Sequence, residues 1–406
     1  MKKSIALFLM ILVLSGCSNT TGILKQETVE ATERVYTSAV TSEPPQTQAT
    51  VTTPEPEPER QLFCDFEAER VTNPDYDEFI DAAEEYIAEN EYQGTVLLAY
   101  NGEIILASGY GYADEMTGRM CKAYDTFEIG SISKQMTAAA VLQLAEQGKL
   151  GLDDTIDEYF PDYKYGSMTT IRHLLQMRSG MVDFINNPAL YFPEDYLEEY
   201  TAAADTGDDS EEVLERDFLL KYLNYPSLHN VPGDAFNYSN TNYYLLGLII
   251  EQVTGESFQE YMSREIFGRC DMLTANNDFR DTTARGYYGD GTSLSMSLST
   301  SLGCGSVNAS VYDLYQWGTH LFAGDVISKR SLRQMLSAID DYGLGMRTDS
   351  DIYFHRGNTD VFNGFIAFYP DGFVTIALTN SPMRKVNAGN IASELHVFFE
   401  DICKQP

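Results

Sequence analysis

The sequence predicts an α+β fold: an antiparallel five-stranded sheet flanked by helices, with an inserted, mainly α subdomain. Three observations carry this. Asn101-Gly102 joins two β-forming runs, the strongest short hairpin signal. Pro370-Asp-Gly372 joins two later runs of the same kind. Between these two regions, residues 153–310 read as helix and loop. Strands joined by such short turns pair antiparallel, and five of them make the sheet.

The chain opens with a targeting pattern. Lys2 and Lys3 precede an apolar run, Ile5–Leu14, that is too short to span a bilayer, and Leu14-Ser-Gly-Cys17 closes it. Residues 1–17 resemble a bacterial lipoprotein signal, which implies lipidation of Cys17 and attachment outside the cytoplasm. Residues 18–61 are rich in Thr, Ser, Pro, Glu and Gln, including Pro54-Glu-Pro-Glu-Pro58, and have almost nothing to bury. They read as a disordered, extended stalk. The body, residues 62–403, is long enough for a large core. Its α/β part takes 62–152 and 311–403, around the helical insertion 153–310.

Within the body, Gln61–Asn90 carries a helix with Phe79, Ala83, Tyr86 and Ile87 at helical spacing. The hairpin follows, Thr95–Tyr100 and Glu103–Ser108. A run of helix formers then extends from Gln135 to Gly148. In the insertion the clearest helices are Ile171–Met177, Glu211–Asn224 and Thr241–Val253. Strands return at Ile352–His355, Phe362–Tyr369 and Phe373–Thr379, and a last helix spans Asn387–Ile402.

Composition excludes some functions. With 27 basic against 61 acidic residues the formal charge is −34, which argues against nucleic acid or anionic lipid as a partner. The acidic stretch Asp195–Glu215 reads as a solvated loop. No metal-ligand spacing appears and the five histidines are scattered, so no metal is expected. Besides Cys17 there are Cys64, Cys121, Cys270, Cys304 and Cys403, an odd number that leaves at least one thiol unpaired.

The chemistry concentrates at Phe127-Glu-Ile-Gly-Ser131-Ile-Ser-Lys134, the one Ser-x-x-Lys of the chain. At a helix start, residues three apart share a face, so Ser131 and Lys134 meet, whereas Ser133 points elsewhere. The free N–H groups there favour negative charge on the serine oxygen. A lysine in a poorly solvated pocket is able to take a serine's proton. Ile132, Met136, Ala140 and Leu144 recur every four residues, which predicts a buried helix.

Tyr238-Ser-Asn240 lies in a polar loop behind Pro232-Gly233. There a tyrosine near a lysine serves as general base or acid, and Asn240 offers an amide to a substrate. A second Tyr-x-Asn, Tyr222–Asn224, falls on an apolar helical face and reads as core. His355-Arg-Gly357 falls on the first late strand. There the histidine projects into a crevice and Gly357 lets a substrate approach the backbone.

In order along residues 68–402 stand Phe127-x-x-Gly-Ser-x-Ser-Lys134, Ile171-Arg-His-Leu-Leu175 with Ser179-Gly180, Pro232-Gly233 with Tyr238-Ser-Asn240, Tyr342-Gly-Leu-Gly345, and His355-x-Gly357-Asn-Thr359. This conjunction resembles the serine β-lactamase and penicillin-binding protein family, on the branch of class C β-lactamases, D-alanyl-D-alanine carboxypeptidases and related esterases. The resemblance implies a β-lactamase/transpeptidase-like fold and a serine hydrolase that needs no cofactor. Ser131 would be acylated, Lys134 would handle its proton, and Tyr238 would be general base and acid. Asn240 would bind the substrate amide, and the N–H groups of Ser131 and Asn358 would form the oxyanion hole. His355 would take the place of the lysine in the Lys-Thr-Gly motif. As an imidazolium it would hold a substrate carboxylate, helped by Arg356. The implied substrate is a small molecule or a peptidoglycan peptide. D-alanyl peptides and esters are favoured over β-lactams, and a penicillin-binding sensor without turnover is the alternative of another class.

Overall fold

The computed structural model describes residues 68–194, 196, 216–278, 281–287, 301–381 and 386–404. Cys17 with its signal segment, the stalk 18–61, Cys64 and all but Tyr196 of the acidic stretch 195–215 lie outside the described residues.

The chain's strands are β1 (Val71–Thr72), β2 (Gly94–Tyr100), β3 (Glu103–Tyr110), β4 (Tyr112–Asp114), β5 (Arg119–Met120), β6 (Phe127–Glu128), β7 (Asn308–Ala309), β8 (Arg347–Asp349), β9 (Ile352–Asn358), β10 (Asn363–Phe368) and β11 (Phe373–Thr379). The main sheet runs β1-β3-β2-β11-β10-β9-β8, antiparallel at every pairing. The α+β class and the antiparallel sheet agree with the sequence. The strand count does not: the sheet has seven strands, because the edge strands β1 and β8, of two and three residues, are too short to show a two-residue period.

Turn chemistry sets the register. Asn101 and Gly102 both adopt positive φ (50° and 87°), the geometry whose twist matches that of flanking strands. At the β10–β11 turn the Asp371 carboxylate accepts the Phe373 amide at 3.0 Å. β11 lies between β10 and β2, so the late strands close against the early hairpin.

Side-chain alternation divides the sheet between two cores. Val96, Leu98, Phe365, Ala367 and Ala377 pack against α1 (Asp77–Glu89) and the terminal helix, Ala388–Cys403. Leu97, Ala99, Ile366, Ile376 and Leu378 face α2 (Ser133–Glu146) and the larger core. Nothing in 68–76 is α-helical, so the first helix starts later than the sequence pattern predicts, after a short turn capped by Asn73.

The described helices of the insertion are α3 (Ile171–Leu175), α4 (Pro188–Tyr191), α5 (Arg216–Lys221), α6 (Asn240–Thr254) and α7 (Phe258–Met262). α3 stops two residues before the predicted Met177, because Met177 is left-handed, with φ 57°. The segment 211–215 of the predicted Glu211–Asn224 helix lies outside the described residues. Pairing of β6 with β7 (Phe127↔Ala309, Glu128↔Asn308) ties the end of the insertion to the strand that leads into Ser131. Two helices beyond the sequence reading follow, α8 (Val311–Ala323) and α9 (Lys329–Leu336), and the terminal helix is α10.

α2 is buried on every side from Ser133 to Leu144, not along one stripe. Its polar side chains are therefore held by bonds to the surrounding chain. The lone tryptophan, Trp317 on α8, donates its indole N–H to Gln135 Oε1 at 2.8 Å, and Thr137 donates to the Gly303 carbonyl at 2.8 Å.

Candidate active site

Ser131 sits on the short 3-10 turn Gly130–Ile132 that runs directly into α2. Gly130 starts the turn in the left-handed region, φ 50°, where a side chain would be strained. The amide nitrogen of Asn358 lies 3.0 Å from where a Cβ on Gly130 would stand. Gly357 is buried against the same turn, and a Cβ there would meet the Ile129 carbonyl oxygen at 1.9 Å. This corrects the sequence reading, because the space beside Gly357 is filled by the protein's own backbone and not left to a substrate. β9 and the Ser131 turn thus touch backbone to backbone, which only glycine permits.

Lys134 is wholly buried, and its Nζ has three neighbours: Ser131 Oγ at 3.0 Å, Asn240 Oδ1 at 2.8 Å and the Cys304 carbonyl at 2.6 Å. Two of these partners only accept, so two N–H bonds are committed to them. The third tetrahedral position faces Ser131 Oγ. At this distance a proton can pass between Oγ and Nζ with no heavy atom moving. Tyr238 OH lies 2.9 Å from the same Ser131 Oγ, and Nζ lies 5.1 Å from the centre of the Tyr238 ring. Ser133 is different: its buried hydroxyl accepts the Val307 amide at 3.1 Å and ties α2 to the loop before β7.

The Tyr238 loop is fixed from one side by residues 177–184. Asn237 N–H donates to the Met177 carbonyl at 2.7 Å, and its side chain donates to the Met181 carbonyl at 3.0 Å. Ser239 N–H reaches Met177 Sδ at 3.5 Å, Thr241 Oγ1 donates to the Val182 carbonyl at 2.7 Å, and Ser179 Oγ donates to Asn242. Asn240 donates its backbone N–H and its amide to Asp183 Oδ2, at 3.1 and 3.0 Å. Both ends of the Asn240 amide are thus engaged within the protein, one by Asp183 and one by Lys134, which revises its expected role of offering both to a substrate. Sequence reasoning missed Asp183. A single carboxylate inside the apolar run Met181-Val-Asp-Phe184 was the available signal.

His355 corrects a second expectation. It is 1 % exposed, and burial first, then the Lys134 charge, push its pKa down to about 3. It is neutral at physiological pH and does not supply an imidazolium. Its Nδ1 lies 2.7 Å from the Arg356 carbonyl, which only accepts, so Nδ1 carries the proton. Nε2 then accepts from Tyr342 OH at 3.3 Å. The Tyr342 phenol is kept protonated by its burial, and its ring packs edge-on to Tyr238 at 6.1 Å. His355 thus supports the aromatic wall behind Tyr238.

Arg356 points the other way. Pairing places it opposite Phe365 on the α1–α10 side, with its guanidinium 5.8 Å from the Phe365 ring. The cation that does face the site is Arg347 on β8, which sequence reasoning did not single out. It is half-buried, 5.6 Å from the Tyr238 ring centre and 5.5 Å from that of Tyr342, and makes no ion pair among the described residues. Far from this cleft, Asp371, His396 and Glu400 bring three possible metal-ligand atoms together, but Asp371 is already bound by Lys404.

Fold and site together define a serine hydrolase that works by acyl transfer. The chain matches the Beta-lactamase family over residues 79–390, and it belongs to that family. The putative penicillin-binding protein PbpX of Bacillus subtilis strain 168 is 26 % identical over 321 residues, covering 77 % of this chain and 76 % of PbpX. Protein flp of Staphylococcus aureus strain N315 is 30 % identical over 319 residues, covering 71 % of this chain and 59 % of flp, so the chain spans less than two thirds of that relative. Among solved structures, D-amino acid amidase from Ochrobactrum anthropi SV3 has a similar fold, with a TM-score of 0.67 at 20 % identity over 81 % of this chain and 99 % of the amidase.

The neutral His355 predicts a pH effect on stability. The unfolded imidazole binds a proton below about pH 6.5, and the folded one only near pH 3, so acidification favours unfolding. By pH 5 the cost is about 2 kcal/mol. His173, also lowered by burial and by Arg178, adds to it with the same sign. In His355→Gln, denaturant unfolding at pH 6.5 and pH 5 should show a smaller loss of stability than in the wild type. An unchanged loss would mean that His355 is not buried neutral.

Proposed function

We propose that the chain is an extracytoplasmic hydrolase that forms an acyl-enzyme on Ser131 and acts on D-alanyl peptides or esters. The observation that carries the proposal is the position of Ser131 Oγ, 3.0 Å from Lys134 Nζ and 2.9 Å from Tyr238 OH. In this reading Oγ attacks the carbonyl carbon as its proton leaves toward Lys134 or Tyr238. The oxyanion forms facing the N–H groups of Ser131 and Asn358. Tyr238 protonates the leaving amine or alkoxide, which departs as the acyl-enzyme forms. In the second half Tyr238 takes a proton from water, the hydroxide adds to the acyl carbon, and Ser131 recovers its proton. Ser131, Lys134 and Tyr238 are the only protein groups these transfers use.

Arg347 takes over the anchoring role that His355 does not fill. A guanidinium over the Tyr238 and Tyr342 rings, without an ion-pair partner among the described residues, suits a substrate carboxylate such as a peptide's C-terminal D-alanine. The D-amino acid amidase of similar fold supports a D-configured residue in the substrate. A β-lactam also carries a carboxylate, so turnover of that class is the runner-up. Cys17, lipidated, would hold the enzyme at the outer face of the membrane, and among the described residues no helix is long and apolar enough to cross it.

Three measurements test this reading. A covalent serine-hydrolase probe should label Ser131, vanish in Ser131→Ala and persist in Ser133→Ala. An adduct mapped to another serine refutes the nucleophile. Arg347→Gln should lower kcat/KM for a D-Ala-D-Ala peptide roughly 10- to 100-fold while sparing an uncharged p-nitrophenyl ester. Equal losses on both would remove Arg347 as the anchor. Wild-type protein should partition into detergent, and Cys17→Ala should not; an unmodified Cys17 in the mass spectrum of the mature protein rules out the anchor.

A further inference from the structure

We infer that Asp183 is a positioning residue for the reaction, because it dictates which end of the Asn240 amide faces Lys134. The inference rests on the proposed roles of Ser131 and Lys134 and adds one residue to them. Asp183 is 3 % exposed, yet no cation pairs with it among the described residues. Its carboxylate is satisfied by five N–H bonds. Oδ1 accepts from Ile185 N at 2.9 Å and Asn186 N at 3.1 Å. Oδ2 accepts from the Asn186 side chain at 2.6 Å and from Asn240 N and Nδ2 at 3.1 and 3.0 Å.

The consequence is chemical. An ionised carboxylate only accepts, so the Asn240 atom facing it must be the NH₂ group. The other end of the amide is then oxygen, and it is this oxygen that lies 2.8 Å from Lys134 Nζ. Turned around, Asn240 would present two N–H groups to the lysine and its oxygen to a carboxylate. Both contacts would be lost at once. Asp183 thus fixes Asn240 Oδ1 as the accepting atom that keeps one Lys134 N–H away from Ser131. It does so from a segment that touches neither Ser131 nor Lys134 by any hydrogen bond described above. Asn240 opens α6, so the carboxylate also sits at the positive end of that helix.

Asp183→Asn keeps the shape but puts an NH₂ where Oδ2 stands, so Asn240 is driven to flip. In the full-length protein the labelling rate of Ser131 by a covalent serine-hydrolase probe should fall roughly 10- to 100-fold. With an ester substrate the loss should be in kcat, KM changing little. The double variant Asp183→Asn with Asn240→Asp restores an acceptor toward Lys134 and a donor–acceptor pair between the two side chains, so it should label faster than Asp183→Asn alone. A purely structural Asp183 would show no such rescue. If Asp183→Asn does not fold, Asn240→Asp carries the test: it sets two carboxylates together with no side-chain N–H between them, and should label more slowly than Asn240→Ala. Wild-type rates in Asp183→Asn, no rescue in the double variant, or equal rates in the two Asn240 variants would overturn the inference. Absence of labelling in the wild type would instead overturn the proposed nucleophile.

Discussion

A fully buried lysine side chain is the constraint around which this fold is arranged. Lys134 has no solvent exposure and pairs with no carboxylate among the described residues, and burying such a group is costly unless each N–H has a partner. The three acceptors come from three distant parts of the chain: the turn it shares with Ser131, the loop at Cys304 and the start of α6. The β6–β7 pairing brings the second of these into place, and Asp183 orients the third. The same partners that offset the burial also aim the lysine at Ser131. Stability and chemical competence here share one set of hydrogen bonds.

What the sequence made legible is what depends on local pattern. Asn101-Gly102 gave the hairpin, Pro370-Asp-Gly372 the late turn, and the helix formers after Ser131 gave α2. The Ser131–Lys134 contact follows from their spacing, and Tyr238 was distinguished from Tyr222 by its polar loop. The edge strands β1 and β8 were not legible, since two or three residues carry no period. α8 was also missed, although Ser310 and Asp313 form a capping box at its start. Arg347 was hidden for the same reason as its strand.

The errors about His355, Arg356 and Gly357 have one physical source. A strand's residues alternate between faces, but sequence does not say which face meets the reactive serine. Pairing of β9 with β10 decides it: His355 lies opposite Ile366, Arg356 opposite Phe365 and Gly357 opposite Gly364. His355 and Gly357 therefore face α2, yet both are occupied by the protein itself, one by Tyr342 and Arg356, the other by the Ile129 carbonyl. Charge at this wall comes from the neighbouring strand instead. Compared with the motif's lysine, an arginine reaching in from β8 brings its charge along a different direction and presents a planar pair of donors.

The place of β11 between β10 and β2 has a consequence for how the molecule is made. β2 and β3 leave the ribosome roughly 270 residues before the strand that completes their sheet. Until Phe373–Thr379 arrives, the hairpin presents an unpaired edge. Contacts this remote in sequence make folding slow. The sheet therefore reaches its final form only once its β11 strand is available to pair with β2.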